Sequence, residues 1–369
     1  TMMKLLCSRE KLVEAVSNVQ RTVSTKSSIP ALEGILLRAA GTQLTLCGYD
    51  LELGMTTSIE ASCTEEGAVV LSARLFGDIV RRLPGDTVQI AVDDKNITSI
   101  ESGASEFSIV GIPADEYPDL PSISDQSSVT LSQPLLKSMI RQTIFAVAES
   151  DAKPIHTGTL FEIGGGKIRL ISVDGYRLAI REENAVCEEE LSFVVPGKTL
   201  GEVSKLLHED DSMLELRVGR RHIQFLIGDY CVTSRLLEGE FLDYRAAIPQ
   251  SCTMEVIANT RAFISSVERV SLLITDRLKS PIRCKFDSET IRLSCSTPIG
   301  RASDEFMAAV SGEPFEMGFN NRYLLDALRN TEGDEVRIQL NGPLSPMKIM
   351  PREGNAYLFL VLPVRLKSE

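Results

Sequence analysis

The stretch Ser72–Leu83, SARLFGDIVRRL, has two counterparts later in the chain: PGKTLGEVSKLL over Pro196–Leu207 and NNRYLLDALRN over Asn320–Asn330. Each stretch has the apolar spacing of an amphipathic helix, and each begins 124 residues after the one before. A fixed spacing of this kind is typical of an internal repeat. Since three copies fit into 369 residues, we predict three domains of similar topology.

Other segments repeat at the same offset. Leu46–Asp50 corresponds to Leu170–Asp174, and Glu116–Asp119 corresponds to Glu240–Asp243. Proline- and serine-rich stretches at Pro118–Ser128 and near Pro249 indicate the boundaries between copies. The predicted domains are residues 1–124, 125–250 and 251–369.

Each copy has the same order of local patterns. A short strand leads into a helix with Ser8, Ser132 or Asn259 at the N-cap position. Alternating strands, a second helix and further hairpins follow, so the predicted class is α+β. The six predicted helices are residues 8–21, 72–82, 132–145, 196–208, 259–271 and 320–330.

The charge is distributed unevenly. The chain has 39 basic and 51 acidic residues, a net charge of −12 that taken alone argues against a nucleic-acid partner. The six predicted helices nevertheless contain fourteen basic and six acidic residues, so they carry +8 and the rest of the chain carries −20. Helices also favour Lys and Arg for their helix propensity, but the bias in all three copies favours one shared surface that faces a polyanion.

Base-reading motifs such as a C2H2 finger or a basic leucine zipper are absent from the sequence, which also has no Trp. We therefore expect contact with the phosphate backbone, independent of base sequence and weak at high salt.

Several other classes are disfavoured. The longest apolar stretch, Tyr357–Val364, is far shorter than the roughly 20 residues that cross a bilayer, and no signal peptide precedes Arg9, so we expect a cytoplasmic protein without membrane contact. The eight cysteines are scattered and the three histidines form no ligand motif, so we expect reduced thiols, no metal and no cofactor.

Two alternatives stay open on these grounds. Gly197-Lys198-Thr199 follows an apolar run and opens a helix, as in a phosphate-binding P-loop, but Ser192 stands where that motif needs Gly. The other alternative is an open DNA-binding scaffold, which a repeat alone would permit.

The chain resembles the bacterial DNA polymerase III beta subunits, or sliding clamps, over residues 3–366. The most specific matching segments are Val173–Ala179 (VDGYRLA), Gly239–Arg245 (GEFLDYR), Gly318–Asn320 with Tyr323, and Leu362–Leu366 (LPVRL). The resemblance implies a clamp fold of three tandem domains, a head-to-tail homodimer ring with helices lining the hole and sheets outside, and no enzymatic activity.

Helix dimensions agree with two chains in the ring. Twelve helices spaced about 10 Å apart leave a hole of about 28 Å, wide enough for duplex DNA, whereas six leave about 9 Å. Retention on DNA would then be topological, which is compatible with an acidic protein.

The resemblance also implies residue roles. A pocket between the second and third domains would bind short hydrophobic peptides of the replicative polymerase alpha subunit, other polymerases, repair proteins and the clamp loader. Its expected residues are His156, Val173, Gly175, Tyr176, Arg177, Leu178, Leu242, Asn320, Tyr323, Leu344, Pro346, Leu360, Val361, Leu362, Pro363, Val364, Arg365 and Leu366. Tyr176 and His156 stand where many relatives have His and Leu, respectively. The residue pattern alone would also allow Asp174-Gly175 to be only a hairpin turn and Leu360–Val364 only a core strand.

Two further sets follow from the resemblance. The expected contacts with double-stranded DNA are Lys26, Arg74, Arg81, Arg82, Lys137, Arg141, Ser150, Lys153, Pro154, Ile155 and Lys198. At the subunit joint, Phe107 and Ile109 on an edge strand would meet Leu272 and Leu273 of the second copy. The function predicted from the sequence is that of a processivity factor, which encircles duplex DNA and tethers a replicative polymerase.

Overall fold

The computed structural model describes residues 3–124, 126–150 and 152–367. Helices occur at all six predicted places, together with one additional helical turn. The helices are α1 (Arg9–Val19), α2 (Ala73–Arg82), α3 (Gln133–Ile144), α4 (Gly197–Leu206), α5 (Tyr244–Ala247), α6 (Thr260–Val270) and α7 (Asn321–Arg329). Short 3₁₀ turns lie at Gln20–Thr22, Pro30–Glu33, Ala114–Glu116, Pro154–Thr157 and Ser271–Leu273.

The strands confirm the predicted α+β class. They are β1 (Met3–Ser8), β2 (Gly34–Ala40), β3 (Gln43–Tyr49), β4 (Leu53–Glu65), β5 (Gly67–Ser72), β6 (Thr87–Val92), β7 (Ile97–Ser102), β8 (Ser105–Val110), β9 (Ser127–Ser132), β10 (Gly158–Gly164), β11 (Lys167–Val173), β12 (Arg177–Asn184), β13 (Leu191–Pro196), β14 (Met213–Val218), β15 (His222–Ile227), β16 (Tyr230–Arg235), β17 (Met254–Asn259), β18 (Ile282–Asp287), β19 (Thr290–Thr297), β20 (Gly300–Ser311), β21 (Phe315–Phe319), β22 (Glu335–Leu340), β23 (Met347–Pro351) and β24 (Tyr357–Val361).

Two of the predicted N-caps are confirmed. The Ser8 hydroxyl accepts a hydrogen bond from Lys11 N, and Asn259 Oδ1 accepts from Ala262 N at 2.9 Å. These bonds satisfy amide groups that have no partner within the helix, so each helix begins where its cap stands.

The repeat is visible in the structure. α2, α4 and α7 begin 124 residues apart, at Ala73, Gly197 and Asn321. Each follows an edge strand (β5, β13 and β21) that makes one isolated bridge to a later segment of its copy. These bridges pair Val70 with Ile112, Val194 with Leu237 and Gly318 with Val364.

The described chain divides into two compact units. Unit 1 contains the residues up to 133 together with 205–236, and its antiparallel sheet has the order β8-β7-β6-β1-β4-β16-β15-β14-β9. β3 also pairs with β4, and β2 joins β3 to β5. Fully buried side chains such as Leu12, Phe76 and Ile90 fill the interior of this unit.

Unit 2 contains residues 134–204 and the residues from 237 onward. Its sheet has the order β13-β10-β11-β12-β24-β23-β22-β17-β20-β19-β18-β21, so β12 of the second copy pairs directly with β24 of the third. The register places Arg177 opposite Val361 and Leu178 opposite Leu360. This pairing brings the turn before β12 next to the C-terminal segment. The boundaries after residues 124 and 250 stay a prediction.

Candidate functional site

The turn between β11 and β12 is held by its aspartate. Asp174 Oδ1 accepts hydrogen bonds from Tyr176 N and Arg177 N, both at 3.0 Å. Gly175 has φ +89°, a conformation that side chains disfavour. A similar turn exists in the first copy, where Asp50 Oδ1 accepts from Leu53 N. The hairpin turn is therefore part of the repeat, and its distinctive feature in the second copy is the Tyr-Arg pair that follows Gly175.

The Arg177 side chain is buried and forms ion pairs with two carboxylates. Nε donates to Asp174 Oδ2 at 3.0 Å and Nη1 donates to Asp326 Oδ2 at 2.6 Å. Its guanidinium carbon lies 4.7 Å from the centre of the Tyr323 ring, within the range of a cation–π interaction. With two carboxylates and an aromatic ring around it, the guanidinium connects the turn to α7.

Tyr176 covers this arrangement from the solvent side. Its ring stacks on Tyr323 with a centroid separation of 5.7 Å and an interplanar angle of 19°. Tyr176 is nevertheless 60% exposed, so most of its apolar surface faces solvent. Asn320 caps α7 through Oδ1, which accepts from Arg322 N and Tyr323 N, and thereby fixes the position of Tyr323.

The C-terminal segment lies against both elements. Leu362 N donates to Tyr176 O at 2.9 Å, and Val364 N donates to Gly318 O at 2.8 Å. Leu360 and Val361 are buried in the sheet, whereas Leu362 and Val364 are 41% and 40% exposed. The interpretation of this segment as a core strand therefore holds for the residues up to Val361. The exposed side chains of Leu362 and Val364 are available to contact another molecule.

A second group of predicted residues surrounds His156. His156 Nε2 accepts a hydrogen bond from Leu242 N at 3.3 Å, and its ring meets Phe241 edge-on at a centroid distance of 5.1 Å. Leu242 is 44% exposed. Val173 and Leu178 are buried in a hydrophobic cluster that includes Leu360, so they support the surface from below.

Three cavities are lined in part by residues of the predicted pocket, whereas the exposed Tyr176 and Leu362 line none of the three. One, of about 560 Å³, is lined by Asn320–Tyr323, Val364 and part of the 274–281 loop. A second, of about 420 Å³, is lined by Glu316–Gly318, Pro343, Leu344 and Val364–Leu366. The third, of about 480 Å³, lies between Lys153–His156 and Glu238–Asp243. Val364 borders the first two, while His156 and Leu242 belong to the third.

The structure adds contacts of residues outside the predicted sets. Asp326 and Phe145 contact Arg177, and Phe241 contacts His156. Phe241 lies within the matching segment Gly239–Arg245, and Asp326 follows Tyr323 by three residues and so lies on the same helical face, whereas Phe145 has neither signal.

The basic side chains predicted to contact DNA differ in their exposure and in their contacts within the chain. Lys26, Arg74, Arg82, Lys153 and Lys198 are exposed, as are Ser150 and Pro154. Arg81 is half-buried and donates to Gln20 Oε1 at 3.2 Å, and Arg141 pairs with Glu332 at 3.0 Å. Lys137 is partly exposed on α3. Ile155 is only 7% exposed inside a hydrophobic cluster, which argues against a DNA contact by this side chain.

The predicted joint residues lie at the surface. In the described part of the chain β8 pairs with one strand, β7, and Phe107 and Val110 on it are 39% and 80% exposed, with Ile109 partly exposed. In unit 2, Leu272 in the turn Ser271–Leu273 is 80% exposed and Leu273 is partly exposed. An unpaired strand edge with apolar side chains is suited to pair with another chain.

Two buried cysteines, Cys7 and Cys47, have the properties of structural thiols. Burial raises the pKa of Cys7 to about 12 and that of Cys47 to about 11, so neither forms a reactive thiolate at neutral pH. Among the described residues, no three His, Cys, Asp or Glu side chains are grouped to hold a metal ion. No helix in the described ranges combines the length and apolar character needed to span a bilayer.

Comparison with known proteins gives a consistent match along the chain. Residues 3–121, 130–243 and 245–365 match the sequence models of the N-terminal, central and C-terminal domains of the DNA polymerase III beta subunit. The beta sliding clamp of Bacillus subtilis is 33% identical over 376 aligned residues, covering 98% of this chain and all of the relative.

Solved structures agree with this match. The DNA polymerase sliding clamp from Bacillus subtilis superposes with a TM-score of 0.97 at 32% identity over the full length of both chains. A DNA polymerase III beta subunit from Eubacterium rectale superposes with a TM-score of 0.94 at 33% identity, covering 98% of this chain and 99% of the other. The chain therefore belongs to the DNA polymerase III beta subunit family, the beta sliding clamps.

Proposed function

We propose that two copies of this chain close head to tail around duplex DNA, and that the ring tethers the replicative polymerase through the surface formed by the 174–177 turn, α7 and the C-terminal segment. As a beta sliding clamp the chain is a non-catalytic processivity subunit of DNA polymerase III. The Gly197-Lys198-Thr199 segment accordingly serves as the start of α4, where Thr199 is buried. The proposed location is the cytoplasm, where bacterial chromosomes are replicated.

The observation that carries the peptide site is the exposed apolar surface around Tyr176. Tyr176, Leu344, Leu362 and Val364 are 60%, 71%, 41% and 40% exposed, and two cavities meet at Val364. Exposed apolar groups beside cavities are typical of sites that receive another chain. Because the backing groups are held by ion pairs and a strand pairing, the surface is preorganised for an apolar peptide. The polymerase alpha subunit, other polymerases, repair proteins and the clamp loader would use it in turn.

The proposed DNA-facing surface consists of basic residues on the helices and in nearby loops. Arg74 on α2, Lys198 on α4 and the exposed Lys26 and Lys153 offer a mildly basic lining. Contacts of this kind release counterions and weaken steeply with salt, so they permit sliding and leave retention to the closed ring.

Two exposed apolar surfaces support the proposed dimer. The open strand β8 with Phe107 of one copy would be covered by the surface around Leu272 of the second copy. A second chain removes the unpaired edge and buries exposed apolar side chains in one step.

Topological retention is the decisive test. The protein is loaded by a compatible clamp loader onto nicked circular plasmid, half the sample is linearised, and both halves are gel-filtered at high salt. We expect retention on circles and loss from linear DNA. Equal retention on both would refute the ring, and no retention on either, while a known clamp loads in parallel, would refute the clamp function.

A further inference from the structure

His156 occupies a rigid position beside the Leu242 segment. It lies in the 3₁₀ turn Pro154–Thr157, where its N–H donates to Lys153 O at 3.0 Å and its carbonyl accepts from Ala148 N at 2.8 Å. Its backbone is therefore fixed on both sides, and the imidazole projects from an anchored element.

The imidazole in turn fixes the segment that follows β16. Nε2 accepts from Leu242 N at 3.3 Å, and the ring packs edge-on against Phe241 at 5.1 Å and 83°. An imidazole nitrogen can accept only when it carries no proton, so this bond requires the neutral ring with its proton on Nδ1. The neighbouring Leu242 side chain remains 44% exposed at the edge of the third cavity.

We propose that His156 is a positioning residue of the peptide site: its neutral ring holds Phe241 and Leu242 in place, and its protonation releases them and weakens peptide binding. The inference rests on the proposed function, because Leu242 matters only if this surface receives a peptide. According to this proposal, the clamp loses affinity for its partners when the pH falls below neutral.

Burial and a neighbouring charge determine the direction of the effect. Burial disfavours the imidazolium, and Lys153, directly before the turn, acts in the same direction, so the pKa of His156 lies below its ordinary value of 6.5. The facing segment carries Glu238, Glu240 and Asp243, and Glu149 in the preceding loop pairs with Arg322.

The sign of the pH dependence follows. Above pH 6.5 the ring is neutral and the bond to Leu242 N is present. The bond is lost as the pH falls through the depressed pKa of His156, because the protonated Nε2 would face another N–H donor. The unfolded chain takes up its proton at a higher pH than the folded one, so the contribution to stability also falls with acidification.

The test compares the affinity of the full-length clamp for the purified polymerase alpha subunit of the same organism at pH 7.5 and pH 5.5. We expect the affinity of the wild type to fall on acidification, by up to about fivefold once the ring is fully protonated, which is the equivalent of one net hydrogen bond. His156→Gln retains an acceptor without titrating, so it should bind more tightly than His156→Leu at pH 7.5, and its affinity should change less with pH than that of the wild type. His156→Leu should bind about fivefold more weakly at pH 7.5.

His222→Gln is the matched control. The pKa of His222 is also lowered by burial, but His222 lies on β15 in unit 1, so its variant should keep the wild-type profile. An identical fall in wild type and His156→Gln would overturn the positioning role, as would a wild-type profile without pH dependence. Absence of binding at pH 7.5 by the wild type would overturn the peptide site itself, so the two failures are distinguishable.

Discussion

Gly175 combines a φ of +89° with open space around its missing Cβ. Gly175→Ala should therefore cost about 1 kcal/mol through backbone strain alone, without any clash. Since the strain falls on the turn that places Tyr176 and Arg177, we expect the affinity for the polymerase alpha subunit to fall as well. Chemical denaturation and a fluorescence titration measure the two effects.

Gly228→Ala is the matched control for this variant, because Gly228 also has positive φ, +55°, and open space, but lies in the β15–β16 turn of unit 1. The control should show a similar loss of stability and unchanged affinity. Equal affinity of the two variants would contradict the role of the 174–177 turn.

Arg177 shows where sequence reasoning reaches its limit at the residue scale. The Asp174-Gly175 turn was predictable because both residues act locally. The resemblance placed Arg177 in the expected peptide pocket, and the structure has its guanidinium bound by Asp174 and Asp326. Asp326 lies 149 residues away in sequence, so only the folded chain reveals that the arginine's charge is already balanced.

At the scale of elements, the repeat was the most predictive signal. The spacing of 124 residues located α2, α4 and α7, because amphipathic periodicity and caps are local properties. The pairing of β12 with β24 and the bond between His156 and Leu242 join segments far apart in sequence. The hydrophobic periodicity of one strand or helix does not show which distant segment it contacts. The three cavities, which form between such segments, therefore could not be predicted from it.

The C-terminal segment depends on a close approach to β21. A Cβ on Gly318 would lie 2.5 Å from Leu366 Cδ2 and 2.7 Å from Val364 O. Gly318→Val should therefore detach the residues after Val361 while β21 itself remains paired with β18. We expect faster tryptic cleavage at Arg365 and a loss of about tenfold or more in affinity for the alpha subunit, as for an anchor residue of an interface.

Gly201→Ala supplies the control for Gly318→Val. Gly201 lies within α4 with open space around its missing Cβ, so alanine there should raise stability by about 0.4–1 kcal/mol and leave the affinity unchanged. If Gly318→Val bound the alpha subunit with unchanged affinity, the C-terminal segment would not be part of the peptide site.

For the whole molecule, the proposed dimer depends on apolar side chains at two separate surfaces. Leu272→Glu places a charge on a side chain that is 80% exposed in the single chain and buried in the proposed ring. We expect monomers in sedimentation velocity at concentrations where the wild type is dimeric. Val186→Glu, at a residue that is 93% exposed, should leave the dimer intact. A dimeric Leu272→Glu would place the joint elsewhere.

The proposed DNA lining can be separated from structural arginines on the same helix. Arg74 and Arg82 are exposed, whereas the half-buried Arg81 donates to Ser17 on α1 at 3.5 Å and to Gln20 in the turn after it, and so holds α2 against α1. The double variant Arg74→Glu/Arg82→Glu should keep the dimer but lower the salt dependence of duplex binding, since each lost phosphate contact removes about 0.9 from the slope of log K against log salt. Arg81→Gln should instead lower the unfolding midpoint and leave that slope unchanged. Both variants remove positive charge from one helix. A reduced slope for Arg81→Gln together with an unchanged slope for the double variant would contradict the proposal, because Arg81 would then be the DNA contact instead of Arg74 and Arg82.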